Sequence, residues 1–250
     1  MNSFIGWIGG KRLLRKEIVK RFPDSFNRYI EVFGGEAWTL FSKDRHVEME
    51  VYNDYNSDLV NLFRCVKHHC PELQRELSYM LNSRELFDDF KGQCYIKGIT
   101  DIQRAARFFM LIKTSYGADI KSFGCVKRNT AVMIEYLQEI EKRLSKVVIE
   151  NRDFSDLIKV YDKPDALLYL DPPYHGTEKY YQAQFKKEDH IRLNVELKKL
   201  KGRFILSYND DEWIRELYSD FRIETVNRNS NLVSRYSNKS HKYAELIIMN

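Results

Sequence analysis

The chain has 250 residues, of which 43% are hydrophobic and 31% charged, the balance of an ordinary soluble globular protein. That length holds one α/β domain with a small insertion and excludes two large domains. Forty-one basic residues against 36 acidic ones leave a net charge of +5, which fits a polyanionic partner without demanding one.

Met1-Asn2-Ser3 leads directly into structured-looking sequence, so no leader is expected. No apolar run approaches the ~20 residues of a membrane span, and a cytoplasmic protein is the expectation. The segment Phe4-Ile5-Gly6-Trp7-Ile8-Gly9-Gly10-Lys11 sets a glycine pair before a lysine and an amphipathic helix. Such a segment binds an anionic group, or is simply a turn ahead of a helix. It is not a phosphate-binding P-loop, because Ile5 and Arg12 stand where that pattern needs Gly and Ser or Thr. A first strand is expected over Tyr29-Ile30-Glu31-Val32-Phe33, stopped by Gly34-Gly35, and a short second one over 48–52, ending at Asn53-Asp54. Helical periodicity then runs through Leu59, Leu62, Phe63 and Val66.

Cys65, Cys70, Cys94 and Cys125 form no Cys-x-x-Cys pair, and with His68 and His69 they match no zinc spacing. Free thiols and no metal are expected. Residues of about 70–145 read as mainly helical, best over 102–116, with a polar stretch over 115–130. Strands resume at Val147-Val148-Ile149 and at Ala166-Leu167-Leu168-Tyr169-Leu170, which ends at Asp171. Phe204-Ile205-Leu206-Ser207 follows, then strands over 222–226 and 244–249, with helices over 187–200 and 211–218. Strands alternating with helices imply an α/β fold with a doubly wound, mostly parallel sheet. Ligands of such sheets sit beyond the carboxyl ends of the strands, where Gly34-Gly35, Asp54 and Asp171 all fall.

The strongest chemical signal is Asp171-Pro172-Pro173-Tyr174. Two prolines fix φ and remove two backbone donors, so their carbonyls stand as acceptors beside a carboxylate. A rigid corner of this kind accepts hydrogen bonds from an NH2 group. An exocyclic amine conjugated to a purine is a poor nucleophile, because its lone pair is delocalised. Two acceptors holding both N–H bonds out of the ring plane localise that lone pair for attack on an in-line sulfonium methyl. Tyr174 can stack on the base, for about 1–3 kcal/mol. The bland alternative is a turn that merely ends a strand.

On this string the chain resembles the Dam-type, alpha-group DNA adenine-N6 methyltransferases. The likeness runs from Trp7 to the last strand, with the motifs in that group's order. It implies a Rossmann-like sheet that binds S-adenosylmethionine, a helical target-recognition insert, and methylation of an adenine flipped out of double-stranded DNA. The expected organisation is a catalytic domain from residues 1–66 and 146–250 around an insert of 67–145. The resemblance implies that Asp171, Pro172, Pro173 and Tyr174 are catalytic, Asp171 and the Pro172 carbonyl binding the amine and Tyr174 stacking on adenine. It makes Trp7 and Lys11 cofactor residues, Lys11 meeting the cofactor carboxylate.

Glu31-Val32-Phe33-Gly34-Gly35-Glu36-Ala37 resembles the family's acidic-x-Phe-x-Gly-x-Gly motif, with Ala37 in place of the last glycine. Phe33 and Gly35 are thereby expected at the cofactor. The absence of Gly-x-Gly-x-x-Gly argues against a dinucleotide. Asp54, 19 residues after Gly35, is expected on the ribose hydroxyls or as the N-cap of a helix over 55–63. In the Asn151-Arg152-Asp153-Phe154 stretch, Asp153 and Phe154 are implied to hold the cofactor adenine, with a plain helix cap as the alternative for Asp153.

Lys113, Tyr116, Lys121, Lys127 and Arg128 interleave charge with aromatics and are expected to bind DNA, or to form a solvated loop. Tyr116-Gly117-Ala118-Asp119-Ile120-Lys121 departs from the string of enzymes that read GATC, so no target sequence carries over. Residues 228–242, with Arg235, Lys239 and Lys242, read equally as a loop near DNA or a plain hairpin connection. His175, Gly176 and residues 180–185 are expected to form a lid, and His190 to lie on a helix surface. The expected assembly is a monomer or weak dimer, with a cognate restriction endonuclease as a separate partner. Methylation of cytosine N4 is the runner-up, against which Asp171 argues because that group favours Ser. A protein-glutamine methyltransferase fits the opening segment and the insert badly. A catalytically dead DNA-binding homologue is opposed by the intact Lys11, Asp171 and Tyr174.

Overall fold

The computed structural model describes residues 1–250 except 8, 93–95, 97, 126–128, 177–184 and 230–241. Lys127 and Arg128, most of the expected lid, Cys94, and Arg235 and Lys239 therefore lie outside the described residues. Among the described residues, seven strands form one sheet in the order β3-β2-β1-β4-β5-β7-β6. They are β1 (Arg28–Glu31), β2 (Met49–Asn53), β3 (Val147–Glu150), β4 (Ala166–Leu170), β5 (Arg203–Asn209), β6 (Arg222–Asn229) and β7 (Lys242–Met249). Strands β1 to β5 pair in parallel, while β7 runs antiparallel between β5 and β6. All seven expected strands are present, and the sheet is the Rossmann-like α/β arrangement expected of a methyltransferase.

The helices are α1 (Arg15–Val19), α2 (Ser57–His68), α3 (Cys70–Ser78), α4 (Arg84–Gly92), α5 (Asp101–Thr114), α6 (Thr130–Glu135), α7 (Leu137–Leu144), α8 (Phe154–Tyr161), α9 (Lys187–Lys198) and α10 (Glu212–Leu217). Side chains alternate across a strand, so the central strands feed two cores. Tyr29, Tyr52, Leu167, Tyr169, Ile205 and Ile247 join the core under α2, α3, α5 and α7. Ile30, Val51, Leu168, Leu206, Tyr208 and Ile248 join the opposite core, under α8, α9 and α10. Burial on both faces explains why β4 is a continuous apolar run rather than an alternating one.

The segment α3–α7 shares the first core with the sheet. It is also pinned by charge. Arg143 of α7 meets both oxygens of Glu50 on β2 at 2.7 and 2.8 Å, and donates to the Leu40 and Lys43 carbonyls. Both side chains are almost fully buried, at 4% and 2% exposed.

Two expectations are corrected. His190 does not lie on a surface: it is fully buried in α9, its Nδ1 lying 2.6 Å from the Tyr208 hydroxyl. Leu193, Asn194 and Leu197 share that buried face, three, four and seven residues along the helix. Asp54 is not the cap of α2. Asn56 is, accepting from the Asp58 and Leu59 N–H groups, which frees the Asp54 carboxylate for the glycine loop before it.

Candidate active site

The chain reverses direction across the sheet between β1 and β4, so their carboxyl ends diverge into a crevice. A cavity of about 220 Å³ opens there, lined by residues from the amino-terminal segment, the β1 glycine loop, the end of β2, the start of α8, and Asp171 and Pro173. Trp7, Lys11, Phe33, Gly35, Asp54, Asp153, Phe154 and Asp171 all line it. The residues expected at the cofactor, and Asp171 of the catalytic string with them, are thus brought to one cavity.

The glycine loop is shaped for close approach. A Cβ on Gly34 would collide with the buried Tyr52 ring, so no side chain fits there. The Gly35 N–H donates to Asp54 Oδ2 at 2.9 Å, and the Asn56 N–H donates to Oδ1 at 2.8 Å. Burial raises the Asp54 carboxyl above its ordinary range, against these backbone bonds. Ala37, where the resembling motif has glycine, takes φ of +57°, a left-handed conformation that costs a non-glycine residue about 1 kcal/mol. The position thus has a backbone conformation that favours glycine, although alanine occupies it.

Phe33, Phe154 and Phe185 form an aromatic cluster with centroids 5.7–5.8 Å apart. Arg192 of α9 stands 4.2 Å over the Phe154 ring and makes paired bonds of 2.8 and 2.9 Å to Asp153. Asp153 does cap α8, accepting from the Ser155 N–H. Despite the upward pull of burial, Arg192 and that N–H hold its carboxyl below the usual range. Trp7 packs its ring against Phe108 and lies beside Gly35.

Two further carboxylates face the cavity. Glu31 accepts from the Tyr29 hydroxyl and the Leu40 N–H, and burial pushes its carboxyl up to about 8. Glu36 accepts from the Trp7 N–H, and burial pushes it up to about 7. Lys11, only 4% exposed, does not stand free for a ligand. Its Nζ is 2.7 Å from Asp171 Oδ1, donates to the Gly9 carbonyl, and overlies the Tyr174 ring at 4.6 Å.

Asp171 follows β4 directly, and Pro172, Pro173 and Tyr174 continue as irregular backbone beyond the strand. Ser207 of β5 donates to Asp171 Oδ1 at 2.9 Å. Burial raises the Asp171 carboxyl, with Lys11 opposing and Glu245 adding to the rise. The Tyr174 hydroxyl donates to Glu245 of β7 at 3.0 Å. Pro172 is buried, and its carbonyl carries no competing donor on its own nitrogen. The corner thus offers acceptors and a ring beside a cavity rich in carboxylates.

Ser207, Glu245 and Arg192 were not assigned to the site from the sequence, and Phe185, expected in a lid, lines the cavity instead. Glu245 was visible as a carboxylate inside an apolar strand run. Arg192 had no sequence signal, because its partner lies 39 residues away.

The expected DNA residues are less integrated. Lys113 ends α5 with its ammonium 5.5 Å from the Phe109 ring. Tyr116 is 65% exposed, and Lys121 is exposed. Ser115 bridges Phe123 in an antiparallel pair, and Ala118 lies against Gly6. His175 follows Tyr174, with Nδ1 3.2 Å from Asp211 and its ring against Trp213. Of the expected lid over 180–185, only Phe185 is described, and it is buried at the cavity. Cys65 and Cys70 are buried free thiols and Cys125 an exposed one. No helix among the described residues is long and apolar enough to cross a membrane.

The chain aligns with curated proteins over its full length. It is 28% identical to the type II methyltransferase M1.LlaDCHI of Lactococcus lactis subsp. cremoris, over all of this chain and 95% of that protein. It is 26% identical to the type II methyltransferase M.MjaIII of Methanocaldococcus jannaschii, over all of this chain and 99% of that one. It is 24% identical to the retron Ec67 DNA adenine methylase of Escherichia coli, over 88% of this chain and 82% of the relative. Residues 7–232 match the family model described as D12 class N6 adenine-specific DNA methyltransferase. The match spans the glycine loop, the helical insert and the Asp171–Tyr174 corner alike, and the chain belongs to that family of DNA adenine methyltransferases.

Proposed function

We propose that the protein transfers the methyl group of S-adenosylmethionine to the N6 amine of an adenine extruded from double-stranded DNA. The observation that carries this reading is the Asp171-Pro172-Pro173-Tyr174 corner, standing at the carboxyl end of β4 against a glycine-walled cavity.

The cavity fits the proposed cofactor. Phe33, Phe154 and Phe185 offer an apolar slot for its adenine, Asp54 an acceptor for its ribose hydroxyls, and Asp153 an acceptor at the slot's edge. Glu31 and Glu36 set two buried carboxyl groups in the cavity wall, held towards their neutral form by burial, which a cationic methionine end would draw towards ionisation. Trp7 packs beside the glycine loop, while Lys11, paired with Asp171, acts on the catalytic corner rather than on the cofactor carboxylate expected from the sequence. When bound, S-adenosylmethionine supplies an electrophilic sulfonium methyl.

The chain's own residues prepare the amine. Asp171 and the Pro172 carbonyl accept hydrogen bonds from its two N–H groups and hold its lone pair out of conjugation. Pro173 keeps the loop rigid, and Tyr174 stacks on the base, offsetting part of the few kcal/mol of unstacking. Lys11 and Ser207 hold Asp171 in place. The insert, residues 67–145, is assigned to target recognition, with Lys113, Tyr116 and Lys121 as DNA contacts, joined in sequence by Lys127 and Arg128. The protein is proposed to act as a monomer or weak dimer in the cytoplasm, with any cognate restriction endonuclease acting separately.

The test is incubation of purified protein with methyl-labelled S-adenosylmethionine and unmethylated genomic DNA, followed by methylation-aware sequencing. Label in N6-methyladenine at one sequence context is expected. Unlabelled DNA, or label confined to cytosine, would refute the reading.

A further inference from the structure

From Ala244 onward strand β7 reads Ala244-Glu245-Leu246-Ile247-Ile248-Met249, a single carboxylate in an otherwise apolar run. Glu245 is 5% exposed. Burying a carboxylate is costly, so its place in the sheet needs a compensating contact. The Tyr174 hydroxyl, at 3.0 Å, is one such contact. The antiparallel course of β7 makes the meeting possible. It sets Glu245 opposite Asn209 on β5, two residues beyond Ser207, which holds Asp171. The two ends of the Asp171–Tyr174 loop are therefore each held by a polar side chain on a neighbouring strand.

The orientation of the Tyr174 ring follows. Lys11 Nζ is at once 2.7 Å from Asp171 Oδ1 and 4.6 Å from the Tyr174 ring centre. One face of the ring and the Asp171 acceptor thus border the same space, where an amine would be held. The far end of the ring is tied at Glu245, and its flank rests on Tyr208 with centroids 5.9 Å apart. A stacked base is held only as well as the plane it stacks on.

We propose that Glu245 is a positioning residue for the methyl transfer, setting through the Tyr174 hydroxyl the plane on which the extruded adenine stacks. This rests on the adenine methyltransferase reading above. A merely structural carboxylate, satisfying a buried phenol, would change melting temperature and leave the turnover of folded protein alone.

The experiment is a double-mutant cycle read as kcat for methyl transfer from labelled S-adenosylmethionine to unmethylated genomic DNA, with cofactor affinity measured by calorimetry. Tyr174→Phe and Glu245→Ala are each expected to lower kcat about 10- to 100-fold while cofactor affinity stays within about twofold. The double variant should fall no further than the worse single one, within about threefold, because both remove the same tie. Glu245→Gln keeps an acceptor oxygen and should recover most of the rate, and in a Tyr174→Phe background it should be silent. That second arm serves if Glu245→Ala does not fold. Losses that multiply in the cycle, or a Glu245→Ala enzyme with wild-type kcat, would overturn the positioning role alone. A wild-type protein that leaves DNA unlabelled would overturn the functional reading and this inference with it.

Discussion

The cavity at the carboxyl ends of β1 and β4 and the segment 115–123, proposed above to bind cofactor and DNA, are built by opposite rules. The cavity is closed by groups already committed to one another: Asp54 to two backbone N–H groups, Asp153 to Arg192, and Asp171 to Lys11 and Ser207. The segment 115–123 is a short loop held by its own turn, with Asp119 accepting from the Lys121 and Ser122 N–H groups and Tyr116 turned outward. A small, invariant ligand rewards a preorganised pocket. A long, polyanionic one is met by exposed charge, which costs little to keep in water and much of whose value is salt-dependent.

If that contrast holds, substitutions should divide by region. The largest effect is expected for Asp171→Ala, which removes an acceptor needed only as the amine becomes nucleophilic. It should lower kcat by about a thousandfold or more with cofactor binding nearly unchanged, checked by single-turnover transfer and calorimetry. Equal loss of cofactor binding would merge the two functions and weaken the contrast. Asp54→Asn should instead weaken cofactor affinity about 10- to 100-fold, the value of a charge-assisted hydrogen bond, while kcat at saturation changes much less. Lys121→Ala should weaken DNA binding only a few-fold at moderate salt, and reduce the slope of log affinity against log salt by about 0.9. An unchanged slope in filter-binding titrations would clear the loop of phosphate contact.

The smallest effect concerns pH. Glu36 has its folded pKa raised to about 7, from an ordinary value of 4.5. The folded state then binds more protons than the unfolded one between those limits. Its contribution to stability is present below about 4.5 and is lost as pH rises through about 7. Glu36→Gln should therefore gain in melting temperature relative to wild type on going from pH 5 to pH 8. Parallel melting curves across that range would show that the Glu36 carboxyl is not raised.

The strands were legible because buried apolar runs ended by Gly, Asp or Asn leave few alternatives, as with Leu167–Leu170 before Asp171. The site was legible where its residues fall in short strings at strand ends. What stayed hidden depends on pairs distant in sequence. Lys11 and Asp171 are 160 residues apart, and nothing in either segment names the other. His190 was misplaced for a different reason. Its helix carries Ile191 and Val195 on an exposed face, 44% and 41% accessible, so the apolar residues did not mark the buried side. The spacing from His190 to Leu193 and Leu197 marked it, and the polarity of imidazole concealed it. Asp54 and Asp153 looked alike as caps or ligands. An available Asn56 relieved one of capping, whereas nothing relieved the other.

The Arg143–Glu50 contact bears on how this enzyme could be given a new target sequence. Exchanging the insert for that of a relative looks modular on paper, since both cut points fall near helix ends. Such a graft would strip Glu50 of its guanidinium inside the protein, and an orphaned buried charge of that sort costs about 3–5 kcal/mol, a large share of a domain's stability. Chimeras should carry an arginine at the matching helical position, or remove both charges together; a swap that respects only loop boundaries is expected to yield insoluble protein rather than altered specificity.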